Sequence, residues 1–496
     1  MSFKNLQNFI EYLENKGDLL RISTEVSTEL EISAITDRTI KSNGPALMFE
    51  NVKGYDHPVV TNLFGSHQRM AWGLGIENSD ELTQKVESVL NIAKTPPSSM
   101  IDKLRTLKDL VSLARTQPKI ISSAPVQEVV LENDQADLTI FPHLKCWPMD
   151  GGKYITLPLV FSKDPITKTK NVGIYRMQIF DKKTAGMHWQ THKVGASHFR
   201  SGEENQIQKL EVAVALGGDP VTMWSGVLPI PPDMYEIAVA GVIKNSPIEM
   251  VKCKTVDLEV PANSEIILEG YVIPGELRTE GPFGDHTGYY SLEDDYPVFH
   301  LTAITHKKNY IYPATVVGKP PSEDFFMGKA VERLMLPALK LTLPEIKDVN
   351  MPAEGVFHNL IIVSMKKQFP GHTRKVMNAL WGLGQMMLVK GIIVVDDFVD
   401  VQNLSEVAWR VTSNLDPKND IVIIDGPIDD LDHSSSTPKI GSKIGLDATT
   451  KTKMDGRDRE WPPDVEMDPE ILDLINQKWT EYGLSLIHIS EPTRPY

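Results

Sequence analysis

His372-Thr-Arg-Lys-Val-Met-Asn-Ala-Leu-Trp-Gly-Leu-Gly-Gln-Met-Met-Leu388, followed two residues later by Gly391-Ile-Ile-Val-Val395, sets the class of the C-terminal third. In the first segment Val376, Leu380, Leu383 and Met387 recur at helical spacing, so one face turns inward. The second is a short unbroken apolar run, the pattern of a strand buried on both sides. The alternation extends outward in both directions. Phe325–Leu341 reads as a long helix with Met327, Val331, Leu334, Met335 and Leu339 on one face, and Pro337 is expected to kink it. Val356–Val363 and Asp420–Ile424 read as strands, and Ser405–Ser413 as a helix. Ile- and Val-rich strands alternating with helices imply an α/β domain whose mainly parallel sheet is covered on both faces.

The middle of the chain has a different texture. Ile155–Phe161, Gly173–Ile179, Glu211–Ala215, Ile248–Lys252, Glu265–Val272 and His300–Thr305 read as short strands. Turn signals separate them: Gly151-Gly152, Asp164-Pro165, Gly217-Gly218-Asp219-Pro220 and Pro274-Gly275. Such punctuation suggests a barrel or sandwich. The first part is mostly helical with short strands. Phe3–Lys16 is an amphipathic helix stopped by Gly17, Leu30–Lys41 a second helix, and Ala46–Phe49 and Val59–Phe64 buried strands. Residues 95–120, with Pro96-Pro97, read as a linker with a helical stretch.

A chain of 496 residues exceeds a single core, so two or three domains are expected. Its apolar content of 41% and charged content of 24% suit a globular protein. The net charge of −15 leaves no broad cationic surface for a nucleic acid. Two cysteines, Cys146 and Cys253, rule out a disulfide framework. The N-terminus lacks the pattern of a signal peptide, and no apolar run approaches the roughly 18 residues of a membrane span. A cytoplasmic setting is expected. Asp468-Pro469 opens a further helix to Trp479, whereas Ser485–Tyr496 resembles translated adapter sequence and is expected to be a disordered, non-native tail.

One turn is dictated by chemistry more than by packing: Glu280-Gly-Pro-Phe-Gly-Asp285-His286-Thr-Gly-Tyr-Tyr290. Gly281, Pro282 and Gly284 bend it sharply, so Glu280 and Asp285 can converge. With an arginine from Asn171-Val-Gly-Ile-Tyr-Arg176 they would suit proton transfer beside an anionic substrate. Taken alone, the segment also reads as a tight loop with solvated acids. Asn171, His192 and Glu236 have the donor types for Mn²⁺ or Mg²⁺. By spacing they equally fit a hydrogen-bonded Asn, a surface His and a helix-start Glu. Gly441-Ser-Lys443-Ile-Gly445 is a loop able to meet an anion, but no Walker motif. His57, His67 and His358 read as structural. GxGxxG after a strand, GxSxG and HExxH are all missing.

Together these segments resemble the UbiD family of non-oxidative decarboxylases, which use prenylated FMN. The likeness runs from Leu30-Glu-Ile-Ser-Ala-Ile-Thr-Asp-Arg-Thr39 and Gly44-Pro-Ala-Leu-Met-Phe-Glu-Asn51 to Gly445-Leu-Asp-Ala-Thr-Thr450. It is strongest at Asn171–Arg176, Leu268-Glu-Gly-Tyr271 and Glu280–Tyr289. The resemblance implies a central split β-barrel flavin domain joined by a long helix to the C-terminal α/β domain. The expected regions are 1–118, 119–320, a linker helix at 321–345, an oligomerisation domain at 346–455 and a final helix at 456–484. It implies Arg176, Glu280 and Asp285 as the catalytic network, with Asp285 the proton donor. Asn171, His192 and Glu236 would hold Mn²⁺, and the backbone of Thr222 to Ser225 a nearby K⁺. Ile174, Tyr175, Arg176, His188, Trp189, Gln190, Lys193 and Val194 would line the flavin, and Lys443 would touch its phosphate.

The same resemblance implies a small aromatic acid as substrate and a flavin prenyltransferase as cofactor supplier. A homo-oligomer, dimer or hexamer, is expected, with peripheral membrane contact if the substrate carries a prenyl chain. The implied reaction is decarboxylation of an aromatic hydroxy-acid in quinone biosynthesis. Pro320-Pro-Ser-Glu-Asp-Phe-Phe-Met-Gly-Lys329 and Glu354-Gly-Val-Phe-His-Asn-Leu360 lean toward the menaquinone branch over the ubiquinone branch. The alternatives are a decarboxylase of simple phenolic acids, of 4-hydroxybenzoate or vanillate type, and an FMN-binding split-barrel redox protein.

Overall fold

The structure is a computed structural model that describes residues 2–78, 80–94, 111 and 113–484. Most of the linker expected at 95–120 and the tail from Ser485 lie outside the described residues.

The first helix, Leu6–Asn15, is capped by Asn5, whose side chain accepts from the Asn8 N–H. It buries Leu6, Phe9, Ile10 and Leu13, and Gly17 ends it in a left-handed conformation. Strand β1 (Leu19–Ile22) follows, then the helix Glu31–Lys41 and strands β2 (Ala46–Phe49) and β3 (Val59–Thr61). Next come the helices His67–Leu74 and Asp80–Lys94, then β4 (Lys119–Ile121) and β5 (Val129–Glu132).

The middle region carries β6 (Tyr154–Ile155), β7 (Pro158–Lys163), β8 (Lys170–Ile174), β9 (Met177–Ile179) and β10 (Thr184–Met187). After the helix Val194–Glu204 come β11 (Leu210–Leu216), the helices Pro220–Ser225 and Glu236–Lys244, then β12 (Glu249–Lys252) and β13 (Glu259–Pro261). Two long strands follow, β14 (Ile266–Glu280) and β15 (Asp294–His306), and then β16 (Tyr312–Pro313), which joins β1, β2 and β3 in a four-stranded sheet. A three-stranded sheet has the order β13-β12-β4.

The nine-stranded sheet positions the site. Its path is β6-β9-β10-β15-β14-β11-β7-β8, with β5 paired to β15. One end of the path is the pair β6·β9 and the other is β7·β8. Chain order ties these ends together twice: β6 runs into β7 through Thr156-Leu157, and β8 into β9 through Tyr175-Arg176. Two intervening residues span at most about 11 Å between the flanking Cα atoms. The sheet must therefore curl until its ends nearly meet, although no ladder joins β6 to β8 among the described residues. This is an open, curled sheet and not a hydrogen-bond-closed barrel. The sequence read Gly173–Ile179 as one strand. It is two, because Tyr175 and Arg176 leave the ladder to cross the seam.

The helix Glu323–Thr342 has 20 residues and continues through Pro337. Beyond it lie β17 (Ile346–Asn350), β18 (Leu360–Met365), the helix His372–Trp381, β19 (Gly391–Asp396), the helix Leu404–Asn414, β20 (Ile421–Pro427) and β21 (Ile440–Asp447). The sheet order is β17-β18-β19-β21-β20. The β18·β19 and β19·β21 pairs are parallel, but both edges are antiparallel, so the expected mainly parallel sheet is parallel only at its centre. The helix expected to reach Leu388 ends at Trp381. Gly382 follows, and Gly384, at positive φ, starts a 3₁₀ turn through Leu388. Val356 and Phe357 adopt left-handed backbone, which delays β18 to Leu360.

Among the described residues, 369–371 and 450–484 form a separate compact unit. Within it the helix Pro469–Lys478 starts as expected, with Asp468 accepting from the Glu470 N–H.

Candidate active site

The seam places Arg176 where β8 and β9 part. Gly173 permits the bend beside it, since a Cβ there would lie 2.4 Å from the Tyr175 ring. The Arg176 guanidinium is held from several sides. Its Nε donates to Glu280 Oε1 at 2.8 Å, and its Nη2 to Glu280 Oε2 at 3.1 Å and to Ser291 Oγ at 3.0 Å. Nη1 donates to Asp285 Oδ2, and the guanidinium lies 4.6 Å from the centroid of the Phe283 ring. His188 Nδ1 lies 3.0 Å from Glu280 Oε2. His286 sits 2.6 Å from Asp285 Oδ1 through Nδ1, and its backbone N–H donates to the same oxygen at 2.7 Å.

The cluster is dry: Glu280 is 0% exposed, Asp285 5% and Arg176 9%. Burial alone would raise both carboxyls. For Glu280 the His188 hydrogen bond and the Arg176 charge outweigh burial and hold it at about 2. For Asp285 the Arg176 charge and then His286 push it well below the carboxylate range. Burial opposes the charge on Arg176, but Asp285 and Glu280 together raise it. All three groups are ionised at neutral pH.

The bent loop is pinned from beneath by Asp150. Its Oδ1 accepts from the Gly284 N–H at 2.8 Å, and its Oδ2 from Trp147 N at 2.8 Å and Cys146 N at 2.9 Å. Gly151 lets the two loops touch, since a Cβ there would lie 2.0 Å from Gly281 O. Sequence reasoning took Gly151-Gly152 only as a turn signal and missed Asp150, Ser291 and His286. His286 was adjacent to a named acid, the one signal that could have found it. His358 was read as structural and without a partner. That is corrected: its Nε2 lies 2.9 Å from His286 Nε2.

Asn171 and Glu236 are brought close together. Glu236, the first residue of its helix, accepts the Val172 N–H at 2.9 Å, and Asn171 Nδ2 lies 3.5 Å from the Tyr175 hydroxyl. Burial pushes the Glu236 carboxyl up to about 7, and it has no ion pair among the described residues. His192 stands apart from both in its recorded contacts. Its charged neighbours are Lys193, Asp429 and Lys439, and its Nε2 is buried with no hydrogen-bond partner. Among the described residues no three His, Cys, Asp or Glu side chains cluster as a metal site; an Asn-His-Glu set falls outside that pattern.

Tyr175 and Trp189 meet edge to face at 6.3 Å, and Trp189 Nε1 is buried without a partner. Trp189 and Gln190 line a cavity of about 160 Å³ with Phe199, Tyr296, Asp430 and Lys439. Ile174 ends β8, and its N–H bonds to Gly226 O at 3.1 Å. Val194 opens a helix that has no side-chain cap, and the half-buried Lys193 sits at its start. Thr222 to Ser225 lie in a buried short helix capped by Asp219, and Ser225 Oγ donates to Thr222 O at 2.8 Å. No recorded contact joins Lys443 to this group. It lies in β21, with Nζ donating to Val389 O at 2.9 Å and to Met387 O.

A guanidinium clamped between two buried acids is a set of groups able to handle a proton beside an anionic substrate. Models of 3-octaprenyl-4-hydroxybenzoate carboxy-lyase match the chain over three stretches: the N-terminal domain at residues 10–89, the Rift-related domain at 119–320 and the C-terminal domain at 325–448. The chain belongs to the UbiD family of carboxy-lyases. A protein of Archaeoglobus fulgidus described as uncharacterized is 50% identical over 485 residues, covering 97% of this chain and 99% of its own. One from Aquifex aeolicus, also described as uncharacterized, is 46% identical with the same coverage. Among solved structures, the closed form of vanillic acid decarboxylase from Sedimentibacter hydroxybenzoicus matches with a TM-score of 0.85 at 29% identity, covering 97% of this chain and 100% of that one. Its open form matches with 0.77 at 28% identity and the same coverage. The UbiD-class enzyme HmfF from Pelotomaculum thermopropionicum in complex with FMN matches with 0.78 at 28% identity, covering 96% of this chain and 100% of that one.

Proposed function

We propose that this carboxy-lyase removes CO₂ from an aromatic hydroxy-acid of quinone biosynthesis, working with prenylated FMN anchored through Mn²⁺. The observation that carries the reading is the Arg176–Glu280–Asp285 cluster, dry and ionised at the seam of the curled sheet. The family's description as a 3-octaprenyl-4-hydroxybenzoate carboxy-lyase supports the substrate class. Structures of the Pelotomaculum enzyme with FMN and with prFMN support the cofactor.

The residues present fit both groups. A buried carboxylate without a cation at Glu236 and an orphaned imidazole nitrogen at His192 suit a divalent ion beside Asn171. The uncapped start of the helix Val194–Glu204 suits the flavin phosphate. When bound, the modified flavin supplies an electron sink for the ring carbon that loses CO₂. The chain supplies the rest. The hydrogen bonds recorded for Arg176 use four of its five N–H donors, leaving one on Nη1 to orient a substrate carboxylate. Glu280 fixes the plane of the guanidinium, and His188 fixes Glu280. Asp285, shielded from water, carries the proton that replaces CO₂. K⁺ near Thr222 to Ser225 and a phosphate contact at Lys443 remain part of the proposal.

A second reading is a simple phenolic acid, favoured by the likeness to vanillic acid decarboxylase over the full length. A homo-oligomer is proposed from Ile423, Ile440 and Ile444, which leave an apolar face exposed on β20 and β21. No helix among the described residues is long and apolar enough to cross a membrane.

The test is expression with and without a flavin prenyltransferase, mass spectrometry of the released cofactor, and CO₂ release from 3-polyprenyl-4-hydroxybenzoate, dihydroxynaphthoate and vanillate. Prenylated FMN with release from a quinone precursor supports the first reading, and release from vanillate alone supports the second. Unmodified FMN with no CO₂ from any acid would leave the redox-protein alternative.

A further inference from the structure

Asp285 leads directly into His286, and His286 has two partners. Nδ1 faces Asp285 Oδ1 at 2.6 Å, and Nε2 faces His358 Nε2 at 2.9 Å. A contact between two ring nitrogens needs one donor and one acceptor. The carboxylate oxygen can only accept, so Nδ1 of His286 carries a proton. A His286 protonated on both nitrogens, with His358 neutral, satisfies both contacts without ring flips. The surroundings agree. Burial would lower His286, but the charge and hydrogen bond of Asp285, then Asp324 and Asp429, raise it to about 9. His358 falls to about 4 through burial and then the charge of His286.

The charged and titratable groups facing the pair come from separate elements. They are Asp285 on the same loop, Asp324 in the first turn of the helix Glu323–Thr342, Asp429 after β20, and Lys193 beside His358. Asp324 Oδ2 and His358 Nδ1 are both buried without a hydrogen-bond partner among the described residues.

The position of His358 is imposed by backbone. Val356 (φ 54) and Phe357 (φ 45) both sit in the left-handed region, which β-branched and aromatic residues rarely adopt. The Phe357 ring packs on His286 with centroids 5.4 Å apart. His358 precedes β18 of the C-terminal sheet, whereas His286 follows β14 of the curled sheet. The contact therefore crosses between two sheets. His286 also has more solvent access than the two acids of the clamp. Its side chain is 21% exposed, against 7% for Asp285 and 0% for Glu280.

We propose that His286 stores the proton that Asp285 delivers, and that His358 is a positioning residue that keeps His286 doubly protonated and aimed at Asp285. The idea rests on the decarboxylase reading, in which each CO₂ lost is replaced on carbon by one proton. In the transfer, the Nδ1–H bond of His286 breaks and an Oδ1–H bond forms on Asp285. Imidazolium and carboxylate become imidazole and carboxylic acid, with no change in total charge. The next proton comes from water, which the partly exposed His286 edge reaches.

The test uses histidine-labelled protein without added cofactor, with the His286 resonance assigned by its loss in His286→Gln. The parent should titrate near 9. His358→Ala should lower that midpoint by about one unit, a tenfold loss of proton affinity. His358→Gln, which keeps an acceptor oxygen, should stay near the parent value, and Asp285→Asn should lower it. If His358→Ala does not fold, the last two variants still decide. A His286 midpoint below 7 in the parent, or one unmoved by both His358→Ala and Asp285→Asn, overturns the proposal. In loaded enzyme, the alkaline limb of CO₂ release should move down with the same His358→Ala shift. Because the titration needs no turnover, it can fail while the decarboxylase reading stands, and the reverse also holds.

Discussion

Two buried arginines hold two charge clusters in this molecule, and they differ in kind. Arg333, in the long helix, donates to Glu332 Oε1 from Nε at 3.0 Å and to Asp348 Oδ1 from Nη1 at 2.8 Å. Lys329 Nζ reaches Glu332 Oε2 at 3.0 Å and Asn350 Oδ1 at 2.6 Å, so two cations face two carboxylates. Partners lie 1 to 16 residues from Arg333, and none of these five side chains has an orphaned buried atom. Arg176 gathers its acids from 104 and 109 residues away. His188, which bonds Glu280, keeps a buried Nε2 without a partner among the described residues, and so do Trp189 and His192 a few positions along the chain. A locally closed, fully bonded cluster fastens the helix to β17. A cluster drawn from distant segments, with an unsatisfied nitrogen on the histidine that bonds it, is a place for something else to bind.

The sharpest way to break this contrast is Glu280→Gln. CO₂ release should fall roughly 10²–10⁴-fold while the flavin spectrum persists, measured as CO₂ per bound flavin. Unchanged turnover would make the two clusters alike.

Glu332→Ala should do the opposite. It leaves Arg333 and Lys329 buried without their shared acid, at a cost of about 3–5 kcal/mol. Urea unfolding should show the loss, with turnover per folded molecule retained.

Acidity separates the clusters more gently. Glu280 is held at about 2, below its ordinary 4.5, so its contribution is present above pH 4.5 and lost as pH falls through 2. The size is on the order of 3 kcal/mol. His286 is raised from 6.5 to about 9, so its share is full below pH 6.5 and lost as pH rises through 9. Urea midpoints against pH should decline at both ends, and Glu280→Gln should flatten the acid limb.

The smallest effect is expected at Lys443. Burial pushes its ammonium down to about 8, and Asp432 opposes this. Lys443→Met strips a donor from the carbonyls of Met387 and Val389 and should cost about 1–3 kcal/mol. Loss of flavin with stability intact would instead favour the phosphate role.

The helix–strand alternation of the C-terminal third was legible because Val376, Leu380 and the Ile392–Val395 run obey simple periods. Its antiparallel edges, β17 and β20, were not, since nothing in their composition marks strand direction: Ile346-Lys-Asp-Val-Asn350 mixes charge and apolar residues. In the middle, strand existence was readable and strand partnership was not. Nothing in Tyr175-Arg176 announces that the chain changes ladders there. The turn chemistry of Gly281, Pro282 and Gly284 did indicate where Glu280 and Asp285 would converge. Asp150, Ser291 and His358 escaped because their roles depend on contacts made across the fold.

The double crossing at Thr156-Leu157 and Tyr175-Arg176 also fixes when the pocket comes into being. During synthesis Arg176 emerges first, with neither of its acids yet made. Its clamp cannot assemble until β14 and β15 have left the ribosome and paired through Glu280 and Asp294. A nascent or truncated chain ending between Glu236 and Asp294 carries every ligand proposed for the metal, yet it lacks the β14·β15 ladder that aims the guanidinium, so it stays inert toward its substrate.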